Sequence, residues 1–199
     1  MDDHLELAKA AVSRFSQRLA SASAFDEGLA NDYNTLRSAL AYGFKEMALE
    51  ALPRRSFDLG QVKEAVIREM RRLFEGRVDS QLFRIARYTT PHPDLYALLA
   101  DNVGLPVPAW RLRLLTGDAI HTERRTRELR DLGLDIRVTP HHEDPLYCLA
   151  QLEPDLAYGA AFQLRQNALG SKAISPAEKA QALHIAEQTA KLPKRRSSG

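Results

Sequence analysis

Residues 121–149 read HTERRTRELRDLGLDIRVTPHHEDPLYCL, and a change of period inside this stretch decides the fold. His121 to Leu132 is helical in spacing, with Leu129 and Leu132 on one face and Gly133 as the stop. Asp135-Ile136-Arg137-Val138-Thr139 then alternates with the two-residue period of a strand. Pro140 to Pro145 is rich in turn formers, and Leu146-Tyr147-Cys148-Leu149 reads as the returning strand.

Working upstream, Asp94 can cap a helix with the apolar face Leu95, Leu98, Leu99 and Val103, ended by Gly104. Pro106-Val107-Pro108 resets the chain. A second short helix over residues 108–115 carries Trp110, Leu112 and Leu115, and Thr116-Gly117-Asp118 is a compact turn. Helix, helix-turn-helix and β-hairpin in that order make a winged helix-turn-helix, expected over residues 93–151.

The first ninety residues are expected to be helical. Leu5, Leu7, Ala11, Val12, Phe15 and Leu19 fall at helical spacing, and so do Leu29, Tyr33, Leu36, Leu40, Phe44, Met47 and Ala51 before Pro53. The second stripe is close to a heptad, which suits packing in a bundle or against a second copy. A third helix is capped by Asp58, runs through Leu59, Val62, Val66, Met70 and Leu73, and stops at Gly76. A short fourth, capped by Asp79 or Ser80, holds Leu82, Phe83 and Ile85. The prolines of Thr89-Thr90-Pro91-His92-Pro93 mark a linker or boundary. Beyond the hairpin, a helical patch over 160–168 leads to Gly170. Ser175-Pro176-Ala177-Glu178 forms a capping box for a last helix to about Leu192, with Ala180, Leu183 and Ala186 or Ile185 on one side. Residues 193–199 read as a disordered basic tail. The expected architecture is mainly α: an N-terminal helical bundle (1–90) suited to dimerisation, the winged unit (93–151), and a C-terminal helix with its tail (152–199).

The run Arg124-Arg125-Thr126-Arg127-Glu128-Leu129-Arg130-Asp131-Leu132-Gly133-Leu134-Asp135-Ile136, closed by Tyr147-Cys148-Leu149, resembles winged-helix domains attached to bacterial restriction endonucleases. These include the Dam-replacing type and domains accompanying HNH nucleases. Thr126 stands where that family usually has an aliphatic residue. The resemblance covers residues 93–149 only, and it implies a DNA-reading module that serves a nuclease.

In such a fold the third helix enters the major groove. With Leu129 and Leu132 facing the core, Thr126 lies inward, while Thr122, Glu123, Arg124, Arg127 and Arg130 are expected to project outward. Thr122, Arg124 and Arg127 are the candidates for base or phosphate contact, since arginine reading guanine is the commonest specific pairing. Arg125 sits nearer the flank, open to an internal salt bridge or a phosphate. Arg111 and Arg113 on the second helix, with Arg137, His141 and His142 on the wing, are candidates for backbone contacts that position without specifying.

Composition fits that partner without requiring it. The formal net charge is +2, with 44% hydrophobic and 27% charged residues. The stretch from Arg54 to Arg87 holds nine basic and five acidic residues, and the charges after Glu187 are Lys191, Lys194, Arg195 and Arg196. No apolar run approaches the ~20 residues of a membrane span, and the acidic N-terminus lacks a secretory layout, so a cytoplasmic protein is expected. The single cysteine, Cys148, reads as a small buried hydrophobe in a strand.

No cofactor or metal is expected. His141-His142-Glu143-Asp144 has no further His or Cys cluster to complete a metal site. There is no strand pair carrying acids and a lysine for Mg²⁺, no Gly-rich phosphate loop and no Gly-x-Ser-x-Gly. The reading is therefore a non-enzymatic protein that binds double-stranded DNA, sequence- or modification-sensitive, as a transcriptional regulator or the recognition component of a restriction or phage-defence system. The alternatives are a winged helix that docks a protein partner, or a nuclease with an unrecognised site.

Overall fold

A computed structural model describes residues 2–22, 26–52, 57–117, 122–141 and 144–193. The chain is mainly helical, with eight α-helices and one three-stranded antiparallel sheet among these residues.

Helices α1 (Asp2–Ser21) and α2 (Glu27–Ala51) form a long hairpin. Asp26 caps α2 by accepting from the Leu29 amide at 2.7 Å. Arg18 lies 3.6 Å from both Asp26 and Asp32, and the Phe15 and Tyr33 rings are 6.2 Å apart. Leu52, the residue before Pro53, is already extended; Pro53 lies outside the described residues.

Helix α3 (Leu59–Phe74) starts at the Asp58 cap and buries Val62, Val66, Met70 and Phe74 along one stripe. Gly76 follows at φ +74°, where the chain turns away. The expected fourth helix is instead a single 3₁₀ turn, Ser80–Leu82, capped by Asp79. Phe83 and Ile85 lie outside any helix or strand, and the Asn167 amide donates to the Leu82 and Arg84 carbonyls, both at 2.7 Å. The Leu82 carbonyl also accepts from the Arg84 amide at 3.0 Å, a tight turn in place of a continuing helix.

Helix α4 (His92–Asp101) begins two residues before Asp94, with Pro93 in its first turn, where a missing N–H costs no hydrogen bond. The proline pair thus opens a helix as well as ending what precedes it. Val107–Pro108 is a strand, β1, which the sequence reading treated only as a reset of the chain. Helices α5 (Ala109–Leu115) and α6 (Thr122–Arg130) follow, then strands β2 (Ile136–Thr139) and β3 (Leu146–Leu149). The sheet order is β1-β3-β2, with Val107 and Val138 both opposite Tyr147 and Ile136 opposite Leu149. Cys148 is half-buried in β3 rather than fully enclosed.

Helix α7 (Leu156–Gly170) is longer than its expected patch and is capped by Asp155. Helix α8 (Pro176–Thr189) has the capping box read from its sequence, Glu178 amide to Ser175 hydroxyl at 3.2 Å and Ser175 amide to Glu178 carboxylate at 2.7 Å. Its buried face is Ala182, Ile185 and Ala186, whereas Ala180 is exposed. The expected tail, apart from Pro193, lies outside the described residues.

Among the described residues before position 90, α1, α2 and α3 are the expected helices, residues 83–89 are not helical, and the three helices pack in two places. The α1–α2 hairpin touches the rest of the molecule mainly through α2 against α5, whereas α3 packs chiefly on α7. One core joins α4, α5, α6 and the sheet with Leu59 and Val62 of α3. A second joins Val66, Met70, Phe74 and Leu82 with α7 and α8.

The two cores meet where the end of α6 abuts α7. Gly133 sits at φ +89°, and a Cβ there would stand 2.1 Å from the Asp155 carbonyl oxygen. The Asp155 amide donates to the Gly133 carbonyl at 2.9 Å. Gly159 faces the Leu132 carbonyl, which an added Cβ would meet at 2.7 Å. Both obstacles are backbone and cannot swing aside. Gly133→Ala is expected to cost about 2 kcal/mol or more in urea unfolding, from positive-φ strain plus the clash. Gly159→Ala should also destabilise, while Gly170→Ala, with nothing within 4 Å of its new Cβ, should change stability little.

Candidate nucleic-acid interface

Helix α6 is fixed by its inner face. Leu129 is fully buried, and Thr122 and Thr126, seven and three residues earlier, share that face at 4% and 0% exposure. The Thr122 and Thr116 hydroxyls are 2.8 Å apart, and the Thr126 hydroxyl donates to the Thr122 carbonyl at 3.0 Å. This corrects the expected outward projection of Thr122. Its side chain ties the start of α6 to the end of α5 and is not on the outer surface. A seven-residue step returns to the same side of a helix, so Thr122 follows Leu129 inward.

Arg130 is corrected as well. Its Nε donates to the Ile136 carbonyl at 2.6 Å, so the half-buried guanidinium braces α6 against β2 instead of projecting freely. The outer face of α6 carries Glu123, Arg124 and Arg127. The Arg127 side chain is exposed and has no hydrogen bond or ion pair among the described residues.

Arg124 and Arg125 share one acceptor. Arg124 Nε donates to Glu128 Oε1 and Arg125 Nη1 to Glu128 Oε2, each at 3.0 Å. His92, buried at the start of α4, places Nε2 2.8 Å from the same Oε2 and Nδ1 2.8 Å from the Thr89 carbonyl oxygen. Burial works against ionisation of Glu128, but the hydrogen bonds from His92, Arg125 and Arg124 outweigh it and hold its carboxyl below the usual range. Sequence reading left Arg125 open between salt bridge and phosphate; in this structure it is salt-bridged. The Arg124 side chain stays 64% exposed, so its unused donors face solvent.

The remaining candidates are distributed around α6. Arg113 of α5 pairs with Asp144 at 2.6 Å, and its Nε lies 3.8 Å from Glu123. Asp144 also accepts from the Trp110 amide at 2.8 Å, which fastens the β2–β3 turn to the start of α5. Arg113 is thus a strut. Arg111 is half-buried with no hydrogen bond or ion pair among the described residues. Arg137 on β2 pairs with Asp135 at 2.7 Å and remains 70% exposed. His141 is exposed at the turn, and His142 lies outside the described residues. Among the described residues there is no group of three or more side chains suited to a metal ion, and no helix is long and apolar enough to cross a membrane.

Sequence reading missed two residues near this face. Gln163 on α7 donates to the Tyr88 hydroxyl at 2.8 Å and to the Asp131 carbonyl at 3.2 Å, which holds the end of α6. The Asp131 carboxyl, with no hydrogen bond or ion pair among the described residues, borders a cleft of about 780 Å³ lined also by Phe162, Arg165, Leu183 and Leu192. Burial, then the charge of Glu128, pushes its pKa up to about 7 against the pull of Arg87, Arg165 and Arg130. Nothing in the local sequence signals this, because the cleft is lined by residues of α7 and α8, distant in sequence.

In comparisons with protein-family models, curated proteins and solved structures, nothing matches the chain.

A carboxyl whose pKa is higher folded than unfolded penalises the folded state once it ionises. The penalty grows as the pH rises from about 4 towards 7 and is complete above 7. Asp131→Asn should therefore stabilise the protein at pH 8.5. After allowance for solvent screening the gain is on the order of 1–2 kcal/mol, or about 3–6 °C in Tm. It should shrink steadily in thermal melts taken down to pH 4.

Proposed function

We propose that residues 93–151 are a winged helix-turn-helix that binds double-stranded DNA through the outer face of α6, without catalysing a reaction. The observation that carries this reading is the contrast between the two faces of α6. The inner face is buried and hydrogen-bonded to α5, while Arg124 and Arg127 stand exposed on the outer face. A rigid mount with arginines on its free side suits contact with phosphates and guanine edges, because little side-chain and backbone order has to be gained on binding.

The order α4, β1, α5, α6, β2, β3 and the sheet order β1-β3-β2 support the winged-helix assignment. The hairpin then acts as the wing, with Arg137 and His141 as its phosphate contacts and Arg111 as that of α5. Arg113, Arg125 and Arg130 act indirectly, by holding the wing and α6 in place. The biological setting that fits is a cytoplasmic transcriptional regulator or the recognition component of a restriction or defence system.

A protein-docking role is favoured by one observation, the exposure of Trp110 and Leu105 at 52% and 60% beside β1. Salt dependence separates the two readings. Fluorescence anisotropy with a random 25-base-pair duplex should give affinity falling by roughly a hundredfold between about 50 and 200 mM salt, as expected for four or more neutralised phosphates. Arg127→Ala should weaken binding about tenfold and lower the salt slope by about one. Absence of binding at low salt would refute duplex recognition and leave the docking role.

A further inference from the structure

The α1–α2 hairpin leaves one apolar face uncovered. Ala8, Ala11 and Phe15 line the seam on α1, and Leu29, Leu36 and Leu40 are half-buried along α2. Flanking the seam, Leu5, Val12 and Leu19 recur every seven residues on α1 at 41–54% exposure. On α2, Tyr33, Phe44 and Met47 occupy the matching flank, each 51% exposed. In antiparallel helices these two flanks turn to the same side, so the six side chains form one surface over the seam. That surface is not the one α2 offers to the rest of the molecule, since Ala48, Leu49 and Leu52 pack into the main core from another side of the helix.

We infer that this face binds a second copy of the same chain, the two hairpins closing into a four-helix bundle. Size supports that occupant. Helices of 20 and 25 residues are about 30 and 37 Å long. With axes 8–10 Å apart and side chains included, the hairpin presents a face about 20 Å wide. Each copy would bury on the order of 600 Å², which for the pair reaches the lower limit of stable protein interfaces. A second hairpin supplies the same length and the same apolar face, as a two-fold contact requires. The inference stands on the hairpin alone and does not depend on DNA binding.

Sedimentation velocity at about 20 μM should give a particle of twice 22.3 kDa. Val12→Glu with Phe44→Glu should sediment as a monomer with an unchanged helical circular-dichroism spectrum, because both side chains are exposed in the single chain. Leu7→Glu, an exposed leucine on the opposite flank of α1, should leave the dimer intact. A monomeric wild-type protein at 100 μM would overturn the inference. A dimer that survives the double substitution would overturn it too.

Discussion

Close backbone contact between the end of α6 and the start of α7 organises this molecule. Residues 131–133 leave α6 through a left-handed glycine, and the chain returns at Asp155 to hydrogen-bond the same glycine. Side chains at 133 or 159 would push the two segments apart. Gln163 adds a polar tie by donating to the Asp131 carbonyl and the Tyr88 hydroxyl. This contact brings the core beneath α6 against the α3–α7–α8 core. The orientation of α6 is thus set by α7 as well as by α4, α5 and the sheet.

Charge is arranged around the same helix in two ways. Some arginines are bound inward: Arg130 to the β2 backbone, Arg113 to Asp144, and Arg125 to Glu128. Glu128 in turn faces buried His92, so α4 and α6 are coupled across 36 positions of sequence. Among the described residues Arg127 has no hydrogen bond or ion pair, and Arg124 is only partly neutralised. If every arginine on α6 were equally exposed, mutual repulsion and mobility would blur the surface. Binding some of them internally leaves a small cationic edge on a stiff support.

Much of this was legible in the sequence because it is local. The Asp58 and Ser175 caps and the Gly76 and Gly133 stops each rest on interactions spanning a few residues, whereas the strand at 136–139 forms without the expected alternation, since Val138 is exposed. What was not legible depends on distant partners or on too few residues. Strand β1 has two residues, one of them proline, and so carries no period to detect. The segment at 83–89 leaves helical conformation where Asn167, far along the chain, donates to the Leu82 and Arg84 carbonyls. Burial raises the pKa of Asp131 beside a cleft that residues of α7 and α8, distant in sequence, line with it. Thr122 is a different case. Its seven-residue distance from Leu129 placed it on the inner face, and taking it as a groove contact ignored that register.

The central claim is that the outer face of α6 meets DNA while its inner arginines remain structural. Nitrogen-15 NMR of the arginine Nε–Hε groups during titration with a 25-base-pair duplex tests this most directly. The account predicts that the Arg127 and Arg124 signals shift first and revert on adding salt, whereas Arg130 and Arg113 move little. Unchanged α6 signals at saturating duplex, or shifts confined to another surface, would contradict it.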